Sequence, residues 1–245
     1  MAIGCGIVAA CVGRTDNCVG QLGNCVELQT RPGVTERVQF TAAPSPTASA
    51  VLLVGGNGVV ADVQRNFLLR VRSRFVEQGI SIAVFDAPSD QSAGMSMAYR
   101  TGASQAQDVS AVVRFLKSKA DVPVWLIGTS RGSVSAASAA AQLLPQQVSG
   151  VVLTSSVWNG TTSALGQIAV PTLIVHNRDD GCSLSPFSGA EAAVAQLTRA
   201  PAKELLAVSG GSLRGNPCEA LSPHGYYQVD DKVVPSVIAW IKTHR

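Results

Sequence analysis

Pro123-Val124-Trp125-Leu126-Ile127-Gly128-Thr129-Ser130-Arg131-Gly132-Ser133-Val134-Ser135 reads as a buried strand, a sharp turn and the start of a small-residue helix. Its centre, Gly128 to Gly132, is a G-x-S-x-G pattern that occurs nowhere else in the chain. A serine that leaves a strand and enters a helix at once is forced into a strained backbone conformation, and bulk two positions to either side would clash. Glycine at 128 and 132 removes that bulk. The turn lifts the Ser130 hydroxyl above the sheet, and the new helix aims its first N–H groups and the positive end of its dipole at whatever the serine meets. The plainer alternative is a serine N-cap between two ordinary glycines.

Outward from this stretch, strands and helices alternate. Val51 to Val54 is a continuous apolar run, as in a strand buried on both faces of a parallel sheet. Phe67, Leu68, Val71, Phe75 and Val76 fall at helical spacing within 66–78, and Gly79 stops that helix. Further strands are expected at 80–85, 124–127, 148–154, 172–176 and 204–208, with helices at 105–119, 130–144, 189–198 and 233–243. The pattern predicts an α/β fold, a mostly parallel twisted sheet with helices on both faces. Residues 15–49 are polar and turn-rich, with two short strand candidates at 26–29 and 36–41, ahead of a main domain over 50–245.

The chain has 245 residues, of which 46% are hydrophobic and only 14% charged, with a net charge of +3. That suits a folded globule of one domain, or at most two small ones, with a sizeable core. Its nineteen Lys and Arg residues are scattered, without a basic run or aromatic interleaving, which argues against nucleic acid as a partner. No apolar run approaches the roughly 20 residues of a membrane span.

Met1 to Cys11 is small and apolar without a basic n-region, and Val8-Ala9-Ala10-Cys11 resembles a bacterial lipobox, whose cysteine is acylated after cleavage. Residues 1–14 are therefore read as a leader or lipobox-like segment. The tail of a signal peptide or an apolar first strand are the alternatives. There are six cysteines and no C-x-x-C, so zinc and thioredoxin-like readings are poor. We pair Cys18 with Cys25 and Cys182 with Cys218 as disulfides of an exported protein, periplasmic or secreted and anchored through Cys11 if the lipobox is used. Six reduced cytosolic thiols are the competing reading.

A serine hydroxyl is a weak nucleophile until a base takes its proton. Of the three histidines, His244 is penultimate, and His176 ends a strand where a bracing role is as good as a catalytic one. His224, in a loop between the last strand and the last helix, is the chosen base, because loops at the carboxyl ends of parallel strands surround the crevice of such sheets. The acid should follow a strand between serine and histidine. Arg178-Asp179-Asp180-Gly181 meets that requirement, with Asp180 preferred and Asp179 assigned to capping the turn.

Three motifs in this order resemble the α/β-hydrolase superfamily: Gly128-Thr129-Ser130-Arg131-Gly132 as nucleophile elbow, His176 to Asp180 in place of H-G-x-x-D, and His224-Gly225-Tyr226 as the histidine loop. The resemblance covers roughly Ala50 to the C-terminus. It implies a Ser130-His224-Asp180 triad, ester hydrolysis through an acyl-enzyme, and a small-molecule or polymeric ester as substrate, with no metal or organic cofactor. It also implies an oxyanion hole made by the N–H of Arg131 and that of Asn57, where Gly55-Gly56-Asn57-Gly58 replaces the family's H-G-x-G. No cap domain fits between Thr154 and Thr172, so an open, shallow pocket is expected; Trp158, Tyr99, Met95 and Met97 sit in loops placed to supply its apolar wall, with covering the core the preferred reading of each. A Cys182–Cys218 bridge would tether the loops of Asp180 and His224.

Two rival readings remain. Gly56-Asn57-Gly58-Val59-Val60-Ala61 is a literal G-x-G-x-x-A after a strand, with Asp86 placed as a ribose-binding acid would be in an NAD(P)-binding Rossmann unit. An exported binding protein that kept a hydrolase fold without turnover is the other.

Overall fold

The computed structural model describes residues 23–244 together with the short strand at Gly13–Arg14. The leader reading of residues 1–14, with Cys5 and Cys11, and the pairing assigned to Cys18 lie outside the described residues. Cys25 is a disulfide cysteine.

Nine strands form one sheet among the described residues, in the order β1-β2-β3-β5-β4-β6-β7-β8-β9. They are β1 (Gly13–Arg14), β2 (Asn24–Arg31), β3 (Val34–Thr41), β4 (Ala48–Leu53), β5 (Ile80–Phe85), β6 (Val124–Thr129), β7 (Gly150–Thr154), β8 (Thr172–Asn177) and β9 (Lys203–Val208). β1, β2 and β3 run antiparallel, and β3 joins the rest by pairing antiparallel with β5. From β5 through β9 every pairing is parallel. The polar N-terminal segment thus extends the same sheet, with strands of 8 residues where only short ones were expected. Its polarity misleads because Glu36 and Gln39 point inward and are buried.

The central strands β4, β5, β6, β7 and β8 are buried along their whole length, which explains their unbroken apolar runs. Their side chains alternate between two cores. Val51, Leu53, Phe85, Leu126 and Leu153 pack on one face with α3 (Ala103–Lys119), α4 (Arg131–Gln142), α5 (Trp158–Leu165) and α6 (Phe187–Gln196). Leu52, Ile82, Val84, Trp125 and Val152 face α1 (Phe67–Glu77) and α7 (Asp230–Thr243) on the other. α1 begins where the Asn66 side chain accepts from the Leu68 N–H, and ends at Gly79 with φ +81°. α2 (Met97–Thr101) is a short helix capped by Ser96. The parallel strands put all their carboxyl ends on one edge, and the loops leaving that edge meet there.

Candidate active site

β6 ends at Thr129, α4 begins at Arg131, and the one residue between them, Ser130, has φ +52° and ψ −127°. That conformation costs of the order of 1–3 kcal/mol for a residue with a Cβ, and the surroundings hold it. A Cβ added at Gly132 would lie 1.9 Å from the Leu53 carbonyl oxygen, and one at Gly128 would lie 2.3 Å from that of Gly132. Helix and strand therefore approach too closely for any other residue at either position. The Ser130 N–H donates to the Thr154 carbonyl over 3.0 Å, fastening the turn to β7.

His224 sits on a single 3-10 turn, Pro223–Gly225, whose Ser222 side chain accepts from the His224 N–H. Two further groups fix the turn from below. Ser155 donates its hydroxyl to the His224 carbonyl over 2.6 Å. Tyr226, fully buried with φ +55°, donates its phenol to the Val175 carbonyl and accepts from the Ser155 N–H. Burial raises the Tyr226 phenol well above its ordinary range, so it remains a neutral donor.

So held, the imidazole reaches two ways. Its Nε2 stands 2.9 Å from Ser130 Oγ, and its Nδ1 stands 2.8 Å from Asp180 Oδ2. The Asp180 side chain is buried, three residues past the end of β8, and also accepts from the Cys182 N–H. Burial pushes its carboxyl up, but hydrogen bonds from His176 and His224 outweigh that and hold it at about 2. Its neighbour Asp179 turns away and accepts from the Gly210 N–H over 2.7 Å, bracing the next loop. His176 lies behind the acid, with Nε2 2.9 Å from the Ser185 carbonyl and 3.4 Å from Asp180 Oδ2. His244 is remote, stacked on Trp240 at the end of α7.

Ser130 and His224 open onto a cleft of about 630 Å³. Asn57 and Arg131 line it, as do the apolar Val63, Phe67, Val157 and Leu184 and both cysteines of the Cys182–Cys218 disulfide. None of the four aromatic and methionine residues considered for its wall lines it, and the core-covering reading holds for three of them. Met95, Tyr99 and Trp158 are buried core residues, and Met97 is not among the cleft lining. Trp158 instead donates its indole N–H to the Pro186 carbonyl and stacks on His176, one layer behind the acid. Tyr99 and Trp158 stand on short helices rather than loops, and Met95 lies in the loop just before α2.

A mostly parallel sheet with helices on both faces, joined in this order, superposes on solved structures. Dienelactone hydrolase from Anabaena variabilis superposes with a TM-score of 0.70 at 18% identity, covering 91% of this chain and 98% of that one. An esterase from Pyrococcus furiosus does so with a TM-score of 0.69 at 14% identity, covering 90% and 92%. An alpha-beta serine hydrolase homologue from Coxiella burnetii gives 0.67 at 19% identity, covering 91% and 99%. The chain has the α/β-hydrolase fold. No protein-family model and no curated protein sequence matches it.

Within the α/β-hydrolase fold the glycine loop after β4 does not act as a dinucleotide loop. It leads into a 3-10 turn at Val60–Val63 rather than an α-helix, and the Asp86 carboxylate accepts from the N–H groups of Val60 and Ala87. The acid that a Rossmann reading assigns to a ribose is bound inside the loop. Among the described residues no group of three or more His, Cys, Asp or Glu could hold a metal ion.

Two residues at this hydrolase-fold site had no sequence signal of their own: Ser155, which pins the histidine backbone, and Arg100, buried on α2. Each is a common residue type in an unremarkable run, and only the packing sets it apart; Trp158, which backs His176, was singled out for the pocket instead.

Proposed function

We propose that the chain is a serine hydrolase of carboxylic esters that works through an acyl-enzyme. The observation that carries this reading is the unbroken line Ser130 Oγ, His224 Nε2, His224 Nδ1, Asp180 Oδ2, with steps of 2.9 Å and 2.8 Å at its two hydrogen bonds. With Nδ1–H donating to the carboxylate, Nε2 presents its lone pair to the serine hydroxyl. Ser130 attacks the ester carbonyl while Nε2 takes its proton. The tetrahedral oxyanion is met by the N–H groups of Arg131 and Asn57, neither of which bonds to another backbone group among the described residues. The imidazolium, stabilised by Asp180, returns the proton to the leaving alkoxide. Water then repeats the sequence on the acyl-serine, with His224 again as base and then acid.

The cleft fits the acyl or alcohol part of a small ester, or one end of a polymeric ester, between the apolar side of Val63, Phe67, Val157 and Leu184 and the polar side of Asn57, Arg131 and Glu219. The Cys182–Cys218 disulfide supports an exported location. Among the described residues no helix is long and apolar enough to cross a membrane. The test is a panel of p-nitrophenyl esters of increasing acyl length, assayed with the wild type and Ser130→Ala. Release of nitrophenol that Ser130→Ala abolishes supports the reading; turnover that survives the substitution, or none with any ester, rejects it.

A further inference from the structure

Arg100 is fully buried, yet it makes no ion pair among the described residues. A cation taken out of water without a counter-ion is costly, so its surroundings must answer it with dipoles. They do so at three points. Nη1 donates to Ser135 Oγ over 3.0 Å and to the Arg131 carbonyl over 3.4 Å, and Nη2 donates to the Gly56 carbonyl over 3.2 Å. The Arg100 Nε finds no partner. Burial and the nearby Arg131 charge bring the guanidinium down to about 10, so it stays a cation at neutral pH.

The last of those contacts matters most. The Gly56 carbonyl belongs to the same peptide unit as the Asn57 N–H, and in a trans peptide the two point in opposite directions. A donor fixed behind the carbonyl therefore aims the N–H away from α2, toward the cleft that Asn57 lines with Ser130. The loop is close to the serine: a Cβ added at Gly55 would stand 2.9 Å from the Ser130 Cβ. The next carbonyl is held from the same side, where the Met95 N–H donates to Asn57 O over 2.7 Å. Gly58 permits this backing, since a Cβ there would come within 2.8 Å of Arg100 Nη2 and 2.0 Å of the Met95 methyl. The same guanidinium reaches α4 at Arg131 and Ser135, so one rigid fork spans the two segments that would supply the oxyanion donors.

Resting on the serine-hydrolase reading above, we propose that Arg100 is a positioning residue of the oxyanion hole, a buried cation that fixes and polarises the Gly56–Asn57 peptide from behind. It touches no substrate. Its hydrogen bond draws electron density toward the Gly56 oxygen and makes the Asn57 N–H a stronger donor to the charge that develops in the transition state.

The test compares wild type, Arg100→Met and Arg100→Lys, with active sites counted by fluorophosphonate titration so that misfolded protein drops out. With p-nitrophenyl acetate, Arg100→Met should lower kcat per titrated site by about 10- to 100-fold with little change in KM. Affinity for phenylboronic acid, whose serine adduct is a tetrahedral anion, should fall by a similar factor, and the pH midpoint of the rate should not move. Arg100→Lys, which keeps the charge but not the fork, should lose less, and it is the variant read if Arg100→Met does not fold. Wild-type kcat and boronate affinity per titrated site in the variant read, or a loss confined to KM, overturn the proposal. Should the wild type neither turn over the ester nor take up the fluorophosphonate, the hydrolase reading itself fails. A wild type silenced by Ser130→Ala, beside an unaffected Arg100 variant, rejects only the role of Arg100.

Discussion

The hydroxyl of Ser155 donates to the carbonyl of His224 over 2.6 Å, joining the end of β7 to the histidine loop 69 residues later. The contact is buried, and the Ser155 backbone is itself left-handed, with φ +43°. The imidazole is therefore aimed by its main chain as well as by Asp180.

Removing that anchor should show in both stability and rate. Ser155→Ala leaves a buried carbonyl without its donor, which costs about 1–3 kcal/mol and lowers Tm by a few degrees in a chain of this size. The loosened imidazole should reduce kcat for p-nitrophenyl esters by about 10-fold or more. Calorimetry and steady-state kinetics on the one variant check both.

Asp180 gives an acid limb with a definite sign. Its carboxyl lies at about 2 in the folded chain against an ordinary 3.8, so the unfolded chain binds the extra proton between those values. The resulting stabilisation, about 2 kcal/mol, is present above pH 4 and is lost as pH falls through 2. Denaturant unfolding of wild type and Asp180→Asn at pH 2, 3 and 5 should show the steeper loss in the wild type only.

Glu36 runs the other way. It is fully buried, one oxygen accepts from the Asp86 N–H, and the other has no partner. Burial, with Asp86 and Asp108 nearby, raises its carboxyl well above the ordinary range. Stability is therefore lost as pH climbs past about 4.5 toward the raised value, because the unfolded chain releases that proton first. Glu36→Gln should be near neutral at pH 4 and stabilising at pH 8, measured by urea unfolding.

The parallel half of the fold was legible because burial on both faces favours apolar residues, so β5 (Ile80–Phe85), with Ser81 its one polar residue, has the bounds that the sequence pattern gives. Ser130 and Asp180 were legible because they lie just past the ends of β6 and β8, and His224, sixteen residues past β9, because only three histidines compete for its place. What hid was local. α2 is five residues long, too short to show a period, and α5 is broken by non-helical Asn159 and Gly160. Arg100 and Ser155 act through main-chain carbonyls, which no residue pattern records.

The Cys182–Cys218 disulfide joins the loop of Asp180 to the loop of His224 across 36 residues, and the Cys182 N–H donates to Asp180. Closing a loop of that length contributes about 4 kcal/mol in the chain-entropy model. Mild reduction should abolish most activity while far-UV circular dichroism and the cooperative melt persist at a lower Tm. Activity and fold lost together would show that the bridge holds the whole domain rather than the site.

The most direct test of the account is peptide mapping after treatment with a fluorophosphonate, in wild type and His224→Ala. One phosphonyl group on Ser130, formed rapidly in the wild type and orders of magnitude more slowly without the imidazole, is the predicted result. An unlabelled Ser130, or equal labelling with and without His224, would contradict it.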